Sequence, residues 1–198
     1  MGNESYYALT YPEAKNHLGV TSDTGESEIL ALVGAATFTI EGYLGLPLVR
    51  RSFSEDHTGG IGERLGGARR MYLRNYPVVS TGITITDDDA TTIDSDDYTV
   101  IADQGILEHD WQWPAPVGRW TVVYTAGRYA NTDAVEQHFK TAAKLLLGDI
   151  YNMPESNVQS KSIGDLSITY GSNTSQLGTV TMPSRVAMIL DPYRSRSV

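Results

Sequence analysis

The sequence predicts an α+β protein: a helical bundle that carries an inserted antiparallel β lobe and an extended C-terminal arm ending in a short helix. Two apolar stripes of helical period lie far apart in the chain, and short β-branched and aromatic runs fill the interval between them. Ser, Asn, Thr and Gly then dominate a polar stretch near the C-terminus. We expect the bundle to comprise residues 1–46 and 127–153, the lobe residues 47–126, and the arm residues 154–198.

The first two helices are predicted from their ends and from one apolar stripe. In TYPEAKNHLGV, Pro12 suits a first helical turn and Gly19 suits a helix end, so a short helix is expected between them. Residues 27 to 44 carry apolar side chains at i, i+3, i+4 and i+7, and Gly45 follows as a stop. The core positions predicted on this second helix are Ile29, Val33, Ala36 and Ile40.

The β lobe is predicted from three runs, RMYLRNYPVVSTGITITDDD, DDYTVIADQGILEHD and GRWTVVYTAG. Their β-branched and aromatic residues alternate with turn-forming clusters at intervals typical of an antiparallel unit. Within them ADQG, residues 102–105, indicates a hairpin turn, and Pro77 marks a strand edge or a strand end.

After Gly127 the helical period returns. Asp133 and Glu136 have the spacing of a capping box, and Glu136 and Lys140 have that of an i, i+4 ion pair on the exposed face. Burying the apolar stripe of this helix is worth on the order of 10 kcal/mol before the entropy cost, so the helix needs a partner surface. Its predicted core positions are Phe139, Ala143, Leu146 and Ile150. The second helix is the obvious partner, so the bundle closes across the β lobe.

The arm combines a polar stretch with an amphipathic end. DLSITYG alternates well enough for one strand, and PSRVAMILDPYRSRSV predicts a two-turn helix opened by Pro183 and closed at Pro192. Its apolar side is formed by Val186, Ile189 and Leu190, and Arg185, Arg194 and Arg196 surround its end. A short apolar helix at the end of a polar arm is typical of a docking element.

Composition excludes several classes of function. The formal net charge of −9 disfavours binding to nucleic acid through clustered Lys and Arg. With no cysteine in the chain, disulfides, thiolate nucleophiles and Cys-ligated zinc are excluded. There is neither the apolar region of a signal peptide nor a run of about 18 apolar residues, so we expect synthesis in a cytoplasm and no membrane partner.

Motifs that carry chemistry are also absent. TDDDATTIDSDDY resembles a calcium loop, but counting from Asp87 puts Thr91 and Thr92 at positions 5 and 6 and Tyr98 at position 12, where the EF-hand needs a ligand, Gly and Glu. The four histidines share no i, i+3 or i, i+4 pair, GGIGERLGG lacks the spacing of a phosphate-binding loop, and no G-x-S-x-G elbow occurs. We expect no catalytic residue, no cofactor and no metal.

Two features stay open between a functional and a structural interpretation. Asp110 beside Trp111 and Trp113 could form a sugar-stacking carboxylate site, or the aromatic rings could pack at the rim of the lobe. The acidic stretch 87–110 lacks Lys and Arg, whereas the region 50–74 is Arg-rich. That separation suits contacts between copies or with a partner, or reflects unevenly charged solvated faces.

The order of the motifs resembles a known family over nearly the whole chain. LTYPEAKNHLGV, EILALVGAATFTIEGYLG, YPVVSTGITI, DDYTV…GIL, RWTVVYTAGRY, LLLGDIY and MPSRVAMILDPYR follow one another as in the head-tail connector (adaptor) proteins of tailed bacteriophages and related gene-transfer particles. The resemblance implies a non-enzymatic structural virion protein with an adaptor-type bundle.

The same resemblance implies a location and a set of partners. Such proteins, made in the cytoplasm of a bacterial host, form rings in the virion neck beneath the portal. The rings are typically dodecamers that meet a tail, stopper or tail-terminator protein, and DNA passes transiently without binding. An acidic protein suits a DNA conduit because it repels phosphates. The residues expected to dock on the portal or on a neighbouring subunit are Arg185, Val186, Ile189, Leu190, Tyr193, Arg194 and Arg196.

Three expectations separate this interpretation from its competitors. Deleting residues 177–198 should leave a folded chain that no longer joins the particle. A β-rich glycan-binding module of a phage tail would instead bind oligosaccharide through Trp111 or Trp113, and a small carboxylate-dependent hydrolase would lose turnover on one Asp or Glu substitution. Both alternatives leave the two long helices unexplained.

Overall fold

The computed structural model describes residues 6–21, 25–58, 69–111, 113–114, 119–152, 160–163, 166–169 and 182–194. Within them helices and antiparallel sheets occupy separate regions, so the predicted α+β class is confirmed. The helices are α1 (Tyr11–Leu18), α2 (Glu26–Leu44), α3 (Gln137–Tyr151) and α4 (Ser184–Leu190). The strands are β1 (Arg51–Thr58), β2 (Arg70–Tyr72), β3 (Thr84–Thr86), β4 (Tyr98–Ile101), β5 (Ile106–His109), β6 (Arg119–Ala126), β7 (Ser160–Ile163) and β8 (Leu166–Thr169).

Helix α1 begins with a capping box. The Glu13 amide donates to Thr10 Oγ1 at 3.4 Å, and the Thr10 amide donates to Glu13 Oε2 at 2.9 Å. The helix ends at Gly19, whose φ of 68° is in the left-handed region that glycine adopts without strain. α1 and α2 both lie where the sequence predicts them, and α2 ends at Gly45.

The helices share one core. Helix α2 packs against α3, and α1 and α4 pack on the same pair. The predicted core positions on α2 are all buried, as are those on α3 except Ile150, which is partly buried against the same cluster. Among the described helices, none combines the length and the apolarity that crossing a membrane requires.

Helix α3 starts later than the sequence predicts. Glu136, not Asp133, is the N-cap residue, and its side chain makes no capping hydrogen bond, so the predicted capping box is wrong. The predicted pair of Glu136 with Lys140 is also wrong. Lys140 Nζ lies 2.9 Å from Glu13 Oε1 on α1, and Lys140 is only 8% exposed. The aliphatic part of the Lys140 side chain is buried between α1 and α3, and its ammonium group pairs with the Glu13 carboxylate.

The β lobe consists of two antiparallel three-stranded sheets, with strand orders β1-β6-β3 and β2-β5-β4. Side chains on β6 alternate strictly: Trp120, Val122 and Tyr124 are buried, whereas Arg119 and Val123 are exposed. The buried side joins residues of the second sheet in a core separate from that of the helices. A short 3₁₀ turn, Ala102–Gln104, links β4 to β5 at the predicted hairpin turn.

The chain enters and leaves the lobe at one place. The Tyr129 amide donates to the Leu48 carbonyl and the Arg50 amide to the Tyr129 carbonyl, both at 2.8 Å, so the two legs run side by side. Gly127 makes this close approach possible: a Cβ atom there would lie 2.5 Å from the Arg50 nitrogen. An excursion with adjacent ends leaves α2 and α3 free to pack together, which is the geometry of an insertion.

Two parts of the predicted arm are described. Strands β7 and β8 pair antiparallel as a hairpin, where the sequence predicts a single strand in DLSITYG. Helix α4 follows Pro183 and continues into a 3₁₀ turn, Asp191–Tyr193, that contains Pro192. The remaining residues of the arm, including Arg196, lie outside the described part of the chain, as does the loop GGIGERLGG.

Candidate functional site

The C-terminal helix carries most of the residues predicted to form an interface, and it lies on the bundle of its own chain. Val186 and Leu190 are fully buried, and Ile189 and Tyr193 pack partly buried against the same core. The apolar side of α4 is therefore already covered by α3 and its neighbours. Only the outer side, with Met188 77% exposed, faces away from the bundle.

Tyr193, at the end of this helix, packs against the side chains of Arg128, His138 and Phe139. The Tyr193 ring stacks on the His138 imidazole at 4.4 Å between centroids and 16° between planes, and it lies 5.1 Å from the Phe139 ring. The Arg128 guanidinium lies 5.4 Å from the centroids of both Tyr193 and Phe139. Tyr193 is thereby fixed against the start of α3.

Polar contacts tie the same segment to α2 and α3. The Arg185 guanidinium forms an ion pair with Asp149 on α3. The Tyr43 hydroxyl on α2 donates to Asp191, and this hydrogen bond to a carboxylate raises the pKa of Tyr43. The Arg194 guanidinium lies 5.1 Å from the centroid of the Tyr43 ring. Five of the seven predicted interface residues thus lie buried in the bundle of the same chain or contact it through their charged or aromatic groups: Arg185, Val186, Leu190, Tyr193 and Arg194. Ile189 packs against the same core partly buried.

These attachments are made by side chains alone. In the described part of the chain, the backbone hydrogen bonds of residues 182–194 stay within that segment, such as those from Val186 and Ala187 to the Pro183 carbonyl. By contrast, the β lobe is joined to the bundle through backbone pairing at its entry and exit. The C-terminal segment, residues 182–194, accordingly lies in its groove on α2 and α3 through side-chain contacts.

A buried ion pair fixes the lobe to the bundle. Glu41 on α2 is 6% exposed and accepts from Arg51 Nη1 at 2.9 Å and Nη2 at 2.8 Å, and also from the Leu48 amide at 2.8 Å. The Arg51 guanidinium lies 5.3 Å from the Phe38 ring and 5.1 Å from the Phe53 ring. A bidentate, partly desolvated pair of this kind sets geometry as well as contributing energy.

A second buried carboxylate lies inside the lobe. Glu55 accepts from the Tyr124 hydroxyl, from the Arg74 amide at 3.1 Å and from Asn75 Nδ2 at 3.1 Å. Burial and the hydrogen bond to Glu55 raise the pKa of Tyr124 to about 12. Burial lowers the pKa of the neighbouring His57, although Glu55 opposes that shift. The network satisfies the buried Glu55 carboxylate and holds the loop after β2.

The candidate sugar site is not assembled. Trp113 is 1% exposed, and its ring packs 5.8 Å from Tyr98 and 5.2 Å from His109. Trp111 is 82% exposed and does not share that packing. The two tryptophans therefore do not form a common stacking surface beside Asp110.

The acidic stretch forms turns and ion pairs. Asp87 Oδ1 accepts from the amides of Asp89 at 3.1 Å and Thr91 at 2.8 Å. Asp88 lies 3.4 Å from Arg119. Within the described residues, no group of three or more His, Asp or Glu side chains is arranged to hold a metal ion. Part of the charge separation seen in the sequence is thus balanced inside the chain.

Comparison with known proteins gives these features a context. Residues 8–196 match the model of a family described as "Head completion protein". The chain belongs to the head completion protein family. This confirms the resemblance to head-tail connectors that the motif order predicts. No protein in the curated set matches the sequence.

Solved structures share the fold of this head completion protein. A chain in "Neck of empty GTA particle computed with C6 symmetry" is 20% identical, with a TM-score of 0.68 and coverage of 96% of this chain and 91% of that one. A chain in "Virion of native gene transfer agent (GTA) particle" gives 20% identity, a TM-score of 0.64 and the same coverages. A chain in "Neck of native GTA particle computed with C12 symmetry" is 19% identical, with a TM-score of 0.63 and coverage of 97% of this chain and 95% of that one. At these identities the likeness concerns the fold.

Proposed function

We propose that this head completion protein is a structural head-tail connector that forms a ring beneath the portal in the virion neck. The observation that carries the proposal is the family match over residues 8–196. The fold likeness to chains in the necks of gene transfer agent particles, which spans nearly the full length of both partners, supports it. In this proposal the bundle interrupted by a β lobe is an adaptor-type arrangement.

A dodecameric ring is the proposed assembly. The two gene transfer agent necks were computed with C6 and C12 symmetry, and a ring of twelve copies is compatible with both. Closed cyclic symmetry requires that each subunit present two different surfaces to its neighbours. The bundle, with its long α2 and α3, supplies rigid elements for such contacts.

The ring would let DNA pass without holding it. A net charge of −9 per chain opposes the approach of phosphates, so a channel lined by such subunits lacks the cationic contacts through which proteins bind DNA. The acidic turns around Asp87 and Asp94 are mostly exposed and suit a surface that faces the duplex.

The partners above and below the ring are a portal protein and a tail, stopper or tail-terminator protein. Because Val186 and Leu190 are buried within the bundle, a portal contact made by α4 in this position would use its outer side. Exposed residues on α4 include Arg185 and Met188, and Arg194 is exposed beyond its end. The protein has no enzymatic role in this proposal, and the buried state of Trp113 gives the glycan-binding alternative no support.

Assembly with the portal tests the proposal. The full chain is mixed with its purified portal and imaged by electron microscopy, with native mass spectrometry to count subunits. We expect a ring of this protein bound coaxially to the portal. A chain that stays monomeric and leaves the portal bare, or that binds oligosaccharide with saturation, contradicts the proposal.

A further inference from the structure

We propose that neighbouring copies in the ring meet through oppositely charged edges of the second sheet of the lobe, β2-β5-β4. The basic edge, defined as Arg69 and Arg70 where β2 begins, contacts the acidic edge of the next subunit, defined as Asp96 and Asp97 just before β4. The inference rests on the proposed ring and names the surfaces through which its subunits recognise each other. It also gives a role to the separation of basic and acidic stretches in the sequence.

The two clusters lie on opposite edges of one sheet and at the same height. Strand β5 is central, and β2 and β4 are the edge strands in the described part of the chain, about 10 Å apart. Arg70 and Thr99 both pair with Glu108 of β5, one from each side. Arg70 is therefore level with the start of β4, which Asp97 directly precedes.

The acidic edge carries charge that the rest of the described chain does not balance. Asp96 and Asp97 are exposed, and neither forms an ion pair with any residue that the structure describes. Both lie in the short 3₁₀ turn Ser95–Asp97, which Asp94 caps by accepting from the Asp96 amide at 3.1 Å. The cap uses the Asp94 carboxylate and holds the backbone of the turn, so the two exposed carboxylates sit on an ordered support.

The basic edge retains cationic groups that can bind a carboxylate. Arg69 Nη2 donates to the Asp110 carbonyl at 3.0 Å, a backbone group that does not balance its charge. Arg70 Nη2 lies 3.4 Å from Glu108 Oε2, and 51% of the Arg70 side chain is still exposed. A guanidinium has five N–H donors, so Arg70 can keep this contact and bond a second carboxylate. Tyr72 is exposed on the same side of β2, and Arg and Tyr are the residue types that dominate many interfaces.

This arrangement fits contacts between copies in a closed ring. Each subunit of a cyclic ring presents two different surfaces, one to each neighbour. With the strands of the lobe along the ring axis, rotation to the next position preserves height and brings the basic edge of one copy to the acidic edge of the next. Opposite charges across the contact fix the orientation of neighbours and oppose wrong pairings. The turn around Asp87 takes no part in this contact and stays on the surface proposed to face the duplex.

Reversing one edge at a time tests the contact. Asp96→Lys with Asp97→Lys makes both edges basic, and Arg69→Glu with Arg70→Glu makes both edges acidic. Each variant, mixed alone with the purified portal and imaged by electron microscopy, should form rings about tenfold less often than the unmodified chain or worse, because like charges then meet. If either variant forms rings as often as the unmodified chain, the edge contact is wrong and the proposed function is left intact.

Mixing the two variants in equal amounts restores opposite charges at every contact. We expect alternating rings with equal numbers of the two chains, counted by native mass spectrometry, since a ring with an even number of subunits closes under this alternation. Rescue by mixing also shows that both variants fold. A mixture that assembles no better than the separate variants overturns the contact and indicates that the charged edges meet other proteins, such as the portal.

A matched control separates the edges from net charge. Glu26→Lys with Asp133→Lys changes two exposed residues of the bundle region and shifts the net charge as much as Asp96→Lys with Asp97→Lys does. This control should assemble like the unmodified chain, and loss of its rings would overturn the edge contact in favour of a net-charge effect. All variant monomers should unfold at the urea concentration of the unmodified chain, because the replaced side chains are exposed. If the unmodified chain itself forms no ring on the portal, the proposed function fails, and the edge contact fails with it.

Discussion

Replacing Leu190 by alanine measures how firmly the C-terminal helix is held. Leu190 is fully buried in the core formed by the helices, whereas Met188 on the same helix is 77% exposed. A buried Leu→Ala substitution costs about 2 to 5 kcal/mol, through lost apolar burial and the cavity left behind. The same truncation at Met188 removes little buried surface and should cost no more than about 0.5 kcal/mol. Met188→Ala is thus a matched control for changes in helix propensity.

The assay is urea unfolding of the dilute monomer, followed by far-ultraviolet circular dichroism. With a denaturant slope of about 2 kcal/mol per molar, Leu190→Ala should lower the unfolding midpoint by about 1 to 2.5 M. If Leu190→Ala and Met188→Ala unfold at the same urea concentration, the helix is not packed in the core and the account of the groove is wrong.

Three further predictions concern the lobe, its junction with the bundle, and the arm. Because the pKa of Tyr124 is raised from 10.0 to about 12, its contribution is complete below pH 10 and is lost by pH 12. The unfolding free energy should fall by about 2 to 3 kcal/mol over that range, and Tyr124→Phe should reduce the fall in urea titrations at each pH. Gly127→Ala should leave little soluble protein, since its Cβ would meet backbone atoms, whereas Gly42→Ala, with open space around it in α2, should raise the melting temperature slightly. Deleting residues 177–198 uncovers the groove, so the truncated chain should melt well below the full chain in calorimetry; equal melting temperatures would show that the arm has no part in the core.

Sequence periodicity was sufficient for the elements whose contacts are local or repetitive. Helix α2 follows from its stripe and from Gly45, and the ADQG turn follows from its residue types. The partner of Lys140 could not be predicted, because it is Glu13, which is 127 residues away along the chain. The i, i+4 spacing predicted Glu136 as the partner of Lys140. The tertiary contact with Glu13 forms instead.

For the candidate site, the sequence predicted which side chains are apolar but not where they dock. The sequence identified the apolar side of α4, and Val186 and Leu190 are buried, but the pattern does not specify which surface covers them. That a chain without residues 177–198 folds stays a prediction, but because α4 belongs to the core of its own bundle we expect that chain to be less stable than the full one. Likewise, Trp111 and Trp113 have the same sequence signature, and only the packing on Tyr98 distinguishes the buried one from the exposed one.

The two attachments of the bundle differ in a way that bears on assembly. The lobe is held by backbone pairing at Leu48, Arg50 and Tyr129 and by the bidentate pair of Glu41 with Arg51, whose disruption would leave a buried carboxylate unpaired at a cost of about 3 to 5 kcal/mol. The C-terminal segment, residues 182–194, is held by side-chain contacts. Local opening should therefore release this segment while the lobe stays fixed. Amide hydrogen exchange in the monomer should show α4 opening more readily than the backbone bonds that join β1 to β6. Equal protection of the two would mean that the C-terminal segment is bound as firmly as the lobe.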